Sequence, residues 1–206
     1  MPGLREDKKR RTRETIAQVA ADLFAERGFE SVTVGDVARA ADVSRQTVFN
    51  YFPSKEQMLF DRDAAAEAAL VAAVRDRAPG TSLVAAFRTH THGFWARLQS
   101  VLDEGPLPHG FWEIVQRSPA LRDYAEAMFA RHARAVARQL AQERGVADDD
   151  PVTHAIARAL CGVNAAILVS GLGRLVNGEA ARHVTTDMIA QASRAYDLLE
   201  QGRGGI

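Results

Sequence analysis

The 206-residue sequence predicts an all-α protein of about nine helices, and two observations carry that prediction. Apolar residues recur at spacings of three and four along most of the chain, and no run alternates as a strand would. Helix start and stop signals divide these stripes, as at Ser118-Pro119 and Asp150-Pro151. We therefore expect a three-helix head in residues 1–53 and a helical body in residues 54–206.

The first predicted helix carries one apolar stripe and ends at Gly28, a typical C-cap residue. Its stripe consists of Ile16, Val19, Ala20, Leu23 and Phe24. Residues 1–13 precede it and contain six basic residues against Glu6 and Asp7. A basic arm of this kind can follow DNA phosphates or enter a groove. The alternative is a disordered, solubilising tail.

A short second helix is predicted directly after Thr33. Val34, Val37, Ala38 and Ala41 fall at i, i+3, i+4 and i+7, which makes one apolar stripe. Thr33 and Asp36 have the spacing of a capping box, in which each side chain binds the other residue's backbone N–H. Asp42 then occupies a turn, and Val43 is expected to fill the angle between this helix and the next.

Ser44 is expected to cap a third short helix with one apolar and one polar face. Val48 faces the core, whereas the outward face carries Arg45, Gln46, Thr47 and Tyr51. An outer face rich in hydrogen-bond donors suits a recognition helix in the major groove of DNA. The caps, the small residue Ala38 at the helix crossing and the polar outer face together predict a helix-turn-helix.

These motifs resemble the TetR (tetracycline-repressor-like) family of transcriptional regulators. The resemblance covers residues 12–61, through FAERGFESVTV, DVARAADVSRQTVFNYFPSKEQML and the Phe-Pro-Ser-Lys-Glu string at 52–56. It implies a dimer that binds a palindromic operator, most often as a repressor, and is released by a small molecule. Beyond residue 62 the likeness is architectural. SPALRDYAEAMF and GVADDDPV are similar to a subgroup linked to acyl-coenzyme A or fatty-acid ligands.

The outward residues of the recognition helix are the expected DNA contacts. Arg45 and Gln46 can make bidentate contacts with guanine and adenine edges, each worth about 1–3 kcal/mol of discrimination. The resemblance implies that Lys55 clamps a phosphate. Phe49 stands where the family commonly has tyrosine, and Asp42 replaces the usual glycine of the turn. The full expected set is Thr33, Ser44, Arg45, Gln46, Thr47, Phe49, Asn50, Tyr51 and Lys55.

Six further helices are expected in the body. The fourth starts at Ser54, with Gln57 completing its cap, and runs unbroken to Arg77. The others are expected from Leu83 to a break at 104–106, over 107–117, from Ser118-Pro119 to Gly145, from Asp150-Pro151 to Val176, and over 185–200.

The body is expected to bind a small apolar or amphipathic effector, of which an acyl-coenzyme A is one candidate. Phe94, Trp95, Trp112, Met128 and Asn164 are the expected lining, since apolar walls with a few polar groups describe small-molecule sites. Ligand binding would move the fourth helix and the head joined to it. Alternatively, these aromatic residues belong to the hydrophobic core and the regulator has no small-molecule effector. Its activity would then be controlled by a protein partner or by its own abundance.

A homodimer interface is expected on the last two helices. Gly162, Ala166 and Ser170 form a small-residue stripe that permits close approach of a second helix. Apolar area would come from Ile167, Leu168, Leu172, Leu175 and Tyr196. The alternative is that these residues belong to an intramolecular core.

Several classes of protein are not predicted. Cys161 is the single cysteine, which excludes an intrachain disulfide and a multi-cysteine zinc site. His90 and His92 lie on different helix faces, no metalloprotease motif occurs, and no cofactor or enzymatic activity is expected. The N-terminus lacks the apolar segment of a secretory signal, and residues 159–172 are shorter than a membrane span of about 20 residues. A cytoplasmic protein that does not bind membranes is therefore expected.

Overall fold

A computed structural model describes residues 3–104 and 110–202, and every regular element in them is helical. The helices are α1 Leu4–Arg27, α2 Val34–Ala40, α3 Arg45–Tyr51, α4 Glu56–Leu59, α5 Asp63–Arg75, α6 Leu83–Glu104, α7 Phe111–Arg117, α8 Pro119–Arg144, α9 Pro151–Val176 and α10 Ala181–Gln201. The all-α prediction is confirmed. Residues 105–109, which include part of the break predicted after α6, His109 and the start of the predicted sixth helix, lie outside the described residues.

The chain divides into two compact units. The first comprises residues 1–63 and 108–124, and the second comprises residues 64–107 and 125–206. The first unit therefore holds α1 to α4 together with α7 and the start of α8. It extends beyond residue 53, where the sequence suggested that the head would end.

Two of the predicted helix starts rest on local side-chain caps. The Ser118 hydroxyl accepts a hydrogen bond from the Leu121 N–H at 3.2 Å, at the start of α8. Asp150 accepts the Thr153 N–H at 2.7 Å and the Thr153 hydroxyl at 2.6 Å, at the start of α9. Both caps are confirmed as predicted, because each depends only on residues three apart.

The single fourth helix predicted from Ser54 is wrong. α4 ends at Leu59 and α5 begins at Asp63, while the buried Ser54 hydroxyl has no hydrogen-bond partner among the described residues. Phe60 lies at the break, with its ring 5.3 Å from that of Phe111 and 5.1 Å from that of Tyr124. These non-local aromatic contacts hold Phe60 outside helical backbone geometry, at φ −91° and ψ 41°. Aromatic pairs of this kind override local helix propensity.

The basic N-terminal segment is helical and is not an arm that precedes the first helix. α1 begins at Leu4, with Glu6 and Asp7 in its first turn, where acidic side chains favour a helix. Arg10 pairs with Asp7 at 3.1 Å and with Glu14 at 3.7 Å. Lysine, arginine and glutamate are good helix formers, so these pairs extend α1 upstream of its apolar stripe.

The core of the second unit is built from α5, α6, α8, α9 and α10. Trp95 and Tyr196 are both fully buried in it. A side chain at Gly171 would place its Cβ 2.1 Å from Trp95 Cη2 and 2.7 Å from Met188 Cγ, so glycine is required there. The expectation that Tyr196 lies at a dimer interface is wrong, since its hydroxyl lies 3.0 Å from Thr91 Oγ1 within the core. Burial raises the pKa of this phenol to about 12.

α9 leaves much of its apolar surface uncovered. Its most apolar 18 residues have a mean hydropathy of 1.7, yet only 28% of them are buried. By length and composition alone α9 could cross a membrane, which corrects the expectation that this segment is too short. A stripe on the uncovered face is formed by Ala155, Ala159, Gly162, Ala166, Val169 and Ser170. Ile167, in contrast, points into the core and is 7% exposed.

Candidate nucleic-acid interface

The capping box that begins α2 is confirmed. The Asp36 N–H donates to Thr33 Oγ1 at 3.2 Å, and the Thr33 N–H donates to Asp36 Oδ2 at 2.9 Å. Hydrogen bonds from the side chain and backbone of Thr33 lower the pKa of Asp36, and Arg39 lowers it further by charge. The box fixes the N-terminus of α2 and leaves Thr33 exposed at the surface.

The turn between α2 and α3 depends on Asp42. Its φ of 53° is left-handed, the one such value at a non-glycine residue in the described part of the chain. Aspartate tolerates this region better than most residues. The next residue, Val43, donates its N–H to the Ala38 carbonyl at 2.9 Å, and Ala38 itself is 4% exposed. The turn therefore folds as predicted, with the small residue at the crossing.

α3 has the two faces that the sequence predicts. Ser44 caps it by accepting the Thr47 N–H at 3.0 Å, and Val48 is fully buried beneath it. Gln46 donates to Asn50 Oδ1 at 3.1 Å along the outer face, where both amides are exposed. The face also includes Arg45 and Phe49, both exposed, the latter at 48%, while Thr47 and Tyr51 are half-buried.

Lys55 binds groups within the protein. Its ammonium donates to the Phe29 carbonyl at 2.7 Å and to the Val32 carbonyl at 3.1 Å. It also lies 3.9 Å from the centroid of the Phe29 ring, a cation–π contact. Two of its three donors are therefore occupied in the free protein. The phosphate contact that the resemblance implies stays a prediction, and it would use the third.

Arg13 is a structural residue of this interface that the sequence did not single out. Its Nε donates to Asp61 at 2.6 Å and its Nη1 donates to the Tyr51 carbonyl at 2.8 Å. The guanidinium also lies 4.3 Å from the centroid of the Phe52 ring. α1 is thereby joined to the C-terminal end of α3. No local motif signals this role, since its partners are 38 or more residues away.

The expected ligand-lining residues are divided between the two units. Phe94, Trp95, Met128 and Asn164 belong to the second, whereas Trp112 belongs to the first. Phe94 and Trp95 form an edge-to-face pair with centroids 5.4 Å apart, and Asn164 Oδ1 accepts a 3.0 Å hydrogen bond from Thr91. Met128 is 8% exposed. Trp112 is also buried, and its indole N–H has no hydrogen-bond partner among the described residues.

Comparison with known proteins identifies the class to which this interface belongs. Residues 16–61 match the model of the bacterial regulatory proteins of the tetR family. The chain is 35% identical over 159 residues to the HTH-type transcriptional regulator TcmR of Streptomyces glaucescens, which covers 72% of this chain and 68% of TcmR. The chain belongs to the TetR family. As a TetR-family member it is a DNA-binding transcriptional regulator.

Other TetR-family relatives extend beyond the head. The putative mycofactocin biosynthesis regulator MftR of Mycobacterium tuberculosis is 28% identical over 150 residues, 72% of this chain and 73% of MftR. The crystal structure of FadR from Thermus thermophilus, a repressor in complex with lauroyl-CoA, is 25% identical with a TM-score of 0.53, and the match covers 94% of this chain and 96% of FadR. FadR from Bacillus halodurans, 17% identical with a TM-score of 0.51 over 91% and 93% of the two chains, supports the fold.

Proposed function

We propose that this TetR-family regulator is a repressor that binds a palindromic operator as a homodimer and leaves it when a small amphipathic molecule binds. The capped, outward-facing α3 is the observation that carries the DNA-binding part. Arg45 and Gln46 would read base edges at the N-terminal end of the helix. Thr33, Ser44, Thr47, Asn50, Tyr51 and Lys55 would contact phosphates or bases, and Phe49 would pack on sugars.

Operator selection tests the DNA-binding part. Duplexes selected from a randomised pool by the full-length protein should converge on an inverted repeat with half-sites about one turn apart or a multiple of that spacing. Arg45→Ala should weaken binding to the selected duplex and reduce discrimination at one guanine in each half-site. Arg134→Ala, an exposed arginine on α8, is the matched control and should leave affinity unchanged. Selection of no consensus would overturn the proposal.

The uncovered face of α9 supports the homodimer. One head recognises only a few base pairs, so two copies are needed for specificity within a genome. Among the described residues, a Cβ added at Gly162 would meet no atom within 4 Å, so a second helix could approach closely there. Ala166→Glu should convert the dimer to a monomer in sedimentation equilibrium. Ala127→Glu, at an exposed position on α8, should not. A monomeric wild-type protein would refute this part.

An amphipathic effector is supported by the relative bound to lauroyl-CoA. A ligand releases DNA only if it binds one conformation more tightly than the other. Lauroyl-CoA is the probe, because it is the molecule in complex with that relative, and unacylated coenzyme A is its control. Operator affinity measured by fluorescence anisotropy should fall with the first and not with the second. Unchanged affinity with both would remove acyl-coenzyme A from the proposal.

The close packing around Trp95 favours a second candidate, a regulator without a small-molecule effector. Trp95 is fully buried and its ring fills the space beside Gly171, so protein atoms occupy that part of the core. Control would then come from a protein partner or from the abundance of the regulator. Operator affinity that is unchanged by every compound in a broad metabolite screen, with full repression in cells, would support this candidate.

A further inference from the structure

Gly35 and Arg45 occupy one shared space between α2 and α3. A Cβ built on Gly35 would lie 2.5 Å from Nη2, 2.8 Å from Nε and 2.9 Å from Cζ of Arg45. Contacts below 3.0 Å are not tolerated by real Cβ atoms, so the guanidinium fills the place that any other residue's side chain would take. Gly35 is accordingly buried, although Arg45 is itself exposed.

Helix stability does not explain a glycine at this position. Glycine is among the poorest helix formers, because it loses the most backbone freedom when it folds. Gly35 is the second residue of α2 and does not have a left-handed φ. Its missing side chain has one visible consequence in the structure, which is the room it leaves for the Arg45 guanidinium.

The contact between Gly35 and Arg45 is steric and leaves the arginine donors free. The Arg45 guanidinium makes no hydrogen bond or ion pair with any residue in the described parts of the chain. Its backbone is fixed as the first residue of α3, directly after the Ser44 cap. A long side chain that is already held in one place loses less conformational freedom on binding than one that moves freely.

We propose that Gly35 is a positioning residue for DNA recognition. The space left by its missing side chain, called the seat below, holds the Arg45 guanidinium between the N-terminal ends of α2 and α3. The proposal rests on the proposed base reading by Arg45. With the seat in place, the guanidinium stays against Gly35 in the first turn of α2, next to the N-terminal end of α3. An added methyl group at residue 35 would move the flexible guanidinium away without disrupting the fold.

A double-mutant cycle on the full-length protein tests the seat. Gly35→Ala should weaken binding to the selected operator by about two- to tenfold, the range expected when one long side chain loses its preorganisation. It should also reduce discrimination at the guanine that Arg45→Ala identifies. The midpoint of thermal unfolding should stay equal or rise, because alanine is the better helix former. In the Arg45→Ala background, Gly35→Ala should have no further effect on affinity.

The outcomes distinguish the positioning role of Gly35 from base recognition by Arg45. If Arg45→Ala leaves operator affinity and specificity unchanged, base reading by Arg45 fails and the seat fails with it. If Arg45→Ala weakens binding but Gly35→Ala does not, or weakens it equally in both backgrounds, the seat alone is overturned. Arg39→Ala, which removes an exposed cation from the same helix, is the charge control and should weaken all duplexes by one common factor.

Discussion

The Ser118 hydroxyl donates a 2.6 Å hydrogen bond to Glu30 Oε1 and so joins the start of α8 to the segment that follows α1. The same oxygen accepts the Leu121 N–H at 3.2 Å, which makes it the N-cap of α8. Ser118 is only 2% exposed, whereas Glu30 is exposed. One buried hydroxyl therefore carries both a helix cap and a long-range contact within the first unit.

The double role of Ser118 predicts unequal effects of removing the two partners. Ser118→Ala should lower the free energy of unfolding by about 1–2 kcal/mol, because it loses a helix cap and a buried hydrogen bond. Glu30→Ala should cost less, since the cap remains. Urea unfolding followed by circular dichroism measures both values, with Ser118→Thr as the control that keeps a hydroxyl. Equal losses in the two alanine variants would contradict the cap.

Replacing Lys55 separates its contribution to stability from its proposed contact with DNA. Lys55→Met should lower the free energy of unfolding by about 1–3 kcal/mol, because the Phe29 and Val32 carbonyls lose a charged donor. If Lys55 only contacted a phosphate, its replacement would leave stability unchanged. It would reduce the slope of log affinity against log salt concentration by about 1. Thermal unfolding and affinity at several salt concentrations distinguish these roles. Unchanged stability would show that the internal hydrogen bonds contribute little.

The left-handed turn at Asp42 predicts that stability and charge can be separated. Asp42→Ala should cost about 1 kcal/mol, because alanine lacks the tolerance of aspartate for positive φ. Asp42→Asn keeps that tolerance and removes a negative charge near the proposed DNA interface, so it should preserve stability and tighten DNA binding. Urea unfolding and operator titration measure the two effects. A stable alanine variant would be inconsistent with strain at this turn.

Acid should destabilise the protein through its capping carboxylates. Hydrogen bonds from Thr153 lower the pKa of Asp150, as those from Thr33 lower the pKa of Asp36. Since the folded pKa is below the unfolded value of about 3.9, this stabilisation is complete above that value and is lost as the pH falls through the folded pKa. Asp150→Asn can still cap α9 but does not titrate. Below pH 4, its free energy of unfolding, measured by urea, should therefore fall less steeply with decreasing pH than that of the wild type. An unchanged pH dependence would mean that other carboxylates cause the acid destabilisation.

The sequence predicted best those features that depend on neighbours along the chain. The caps at Thr33, Ser44 and Ser118 need only residues three apart, and the turn at Asp42 follows from its place between two apolar stripes. The outward face of α3 followed from helical periodicity once the position of Val48 was assigned. These features include nearly all of the backbone of the proposed interface.

The features that sequence reasoning missed depend on distant residues. Phe60 contacts Phe111 and Tyr124 at the break, and the buried Tyr196 hydroxyl lies 3.0 Å from Thr91 on another helix. Arg13 resembles an ordinary surface cation in the sequence, and Lys55 was expected to bind a phosphate. The internal partners of both are carbonyls, a carboxylate and rings far along the chain. Gly35 carried one local signal, a poor helix former inside a short helix, but its reason became visible only with Arg45 placed.

The Arg13 guanidinium has a consequence for the local unfolding of the head. It holds a backbone carbonyl at the last residue of α3, a carboxylate just beyond α4 and the ring of Phe52 at the same time. The C-terminal turn of α3 therefore cannot fray without releasing its attachment to α1. Amide protons of these two helices should exchange with solvent together, as one cooperative unit.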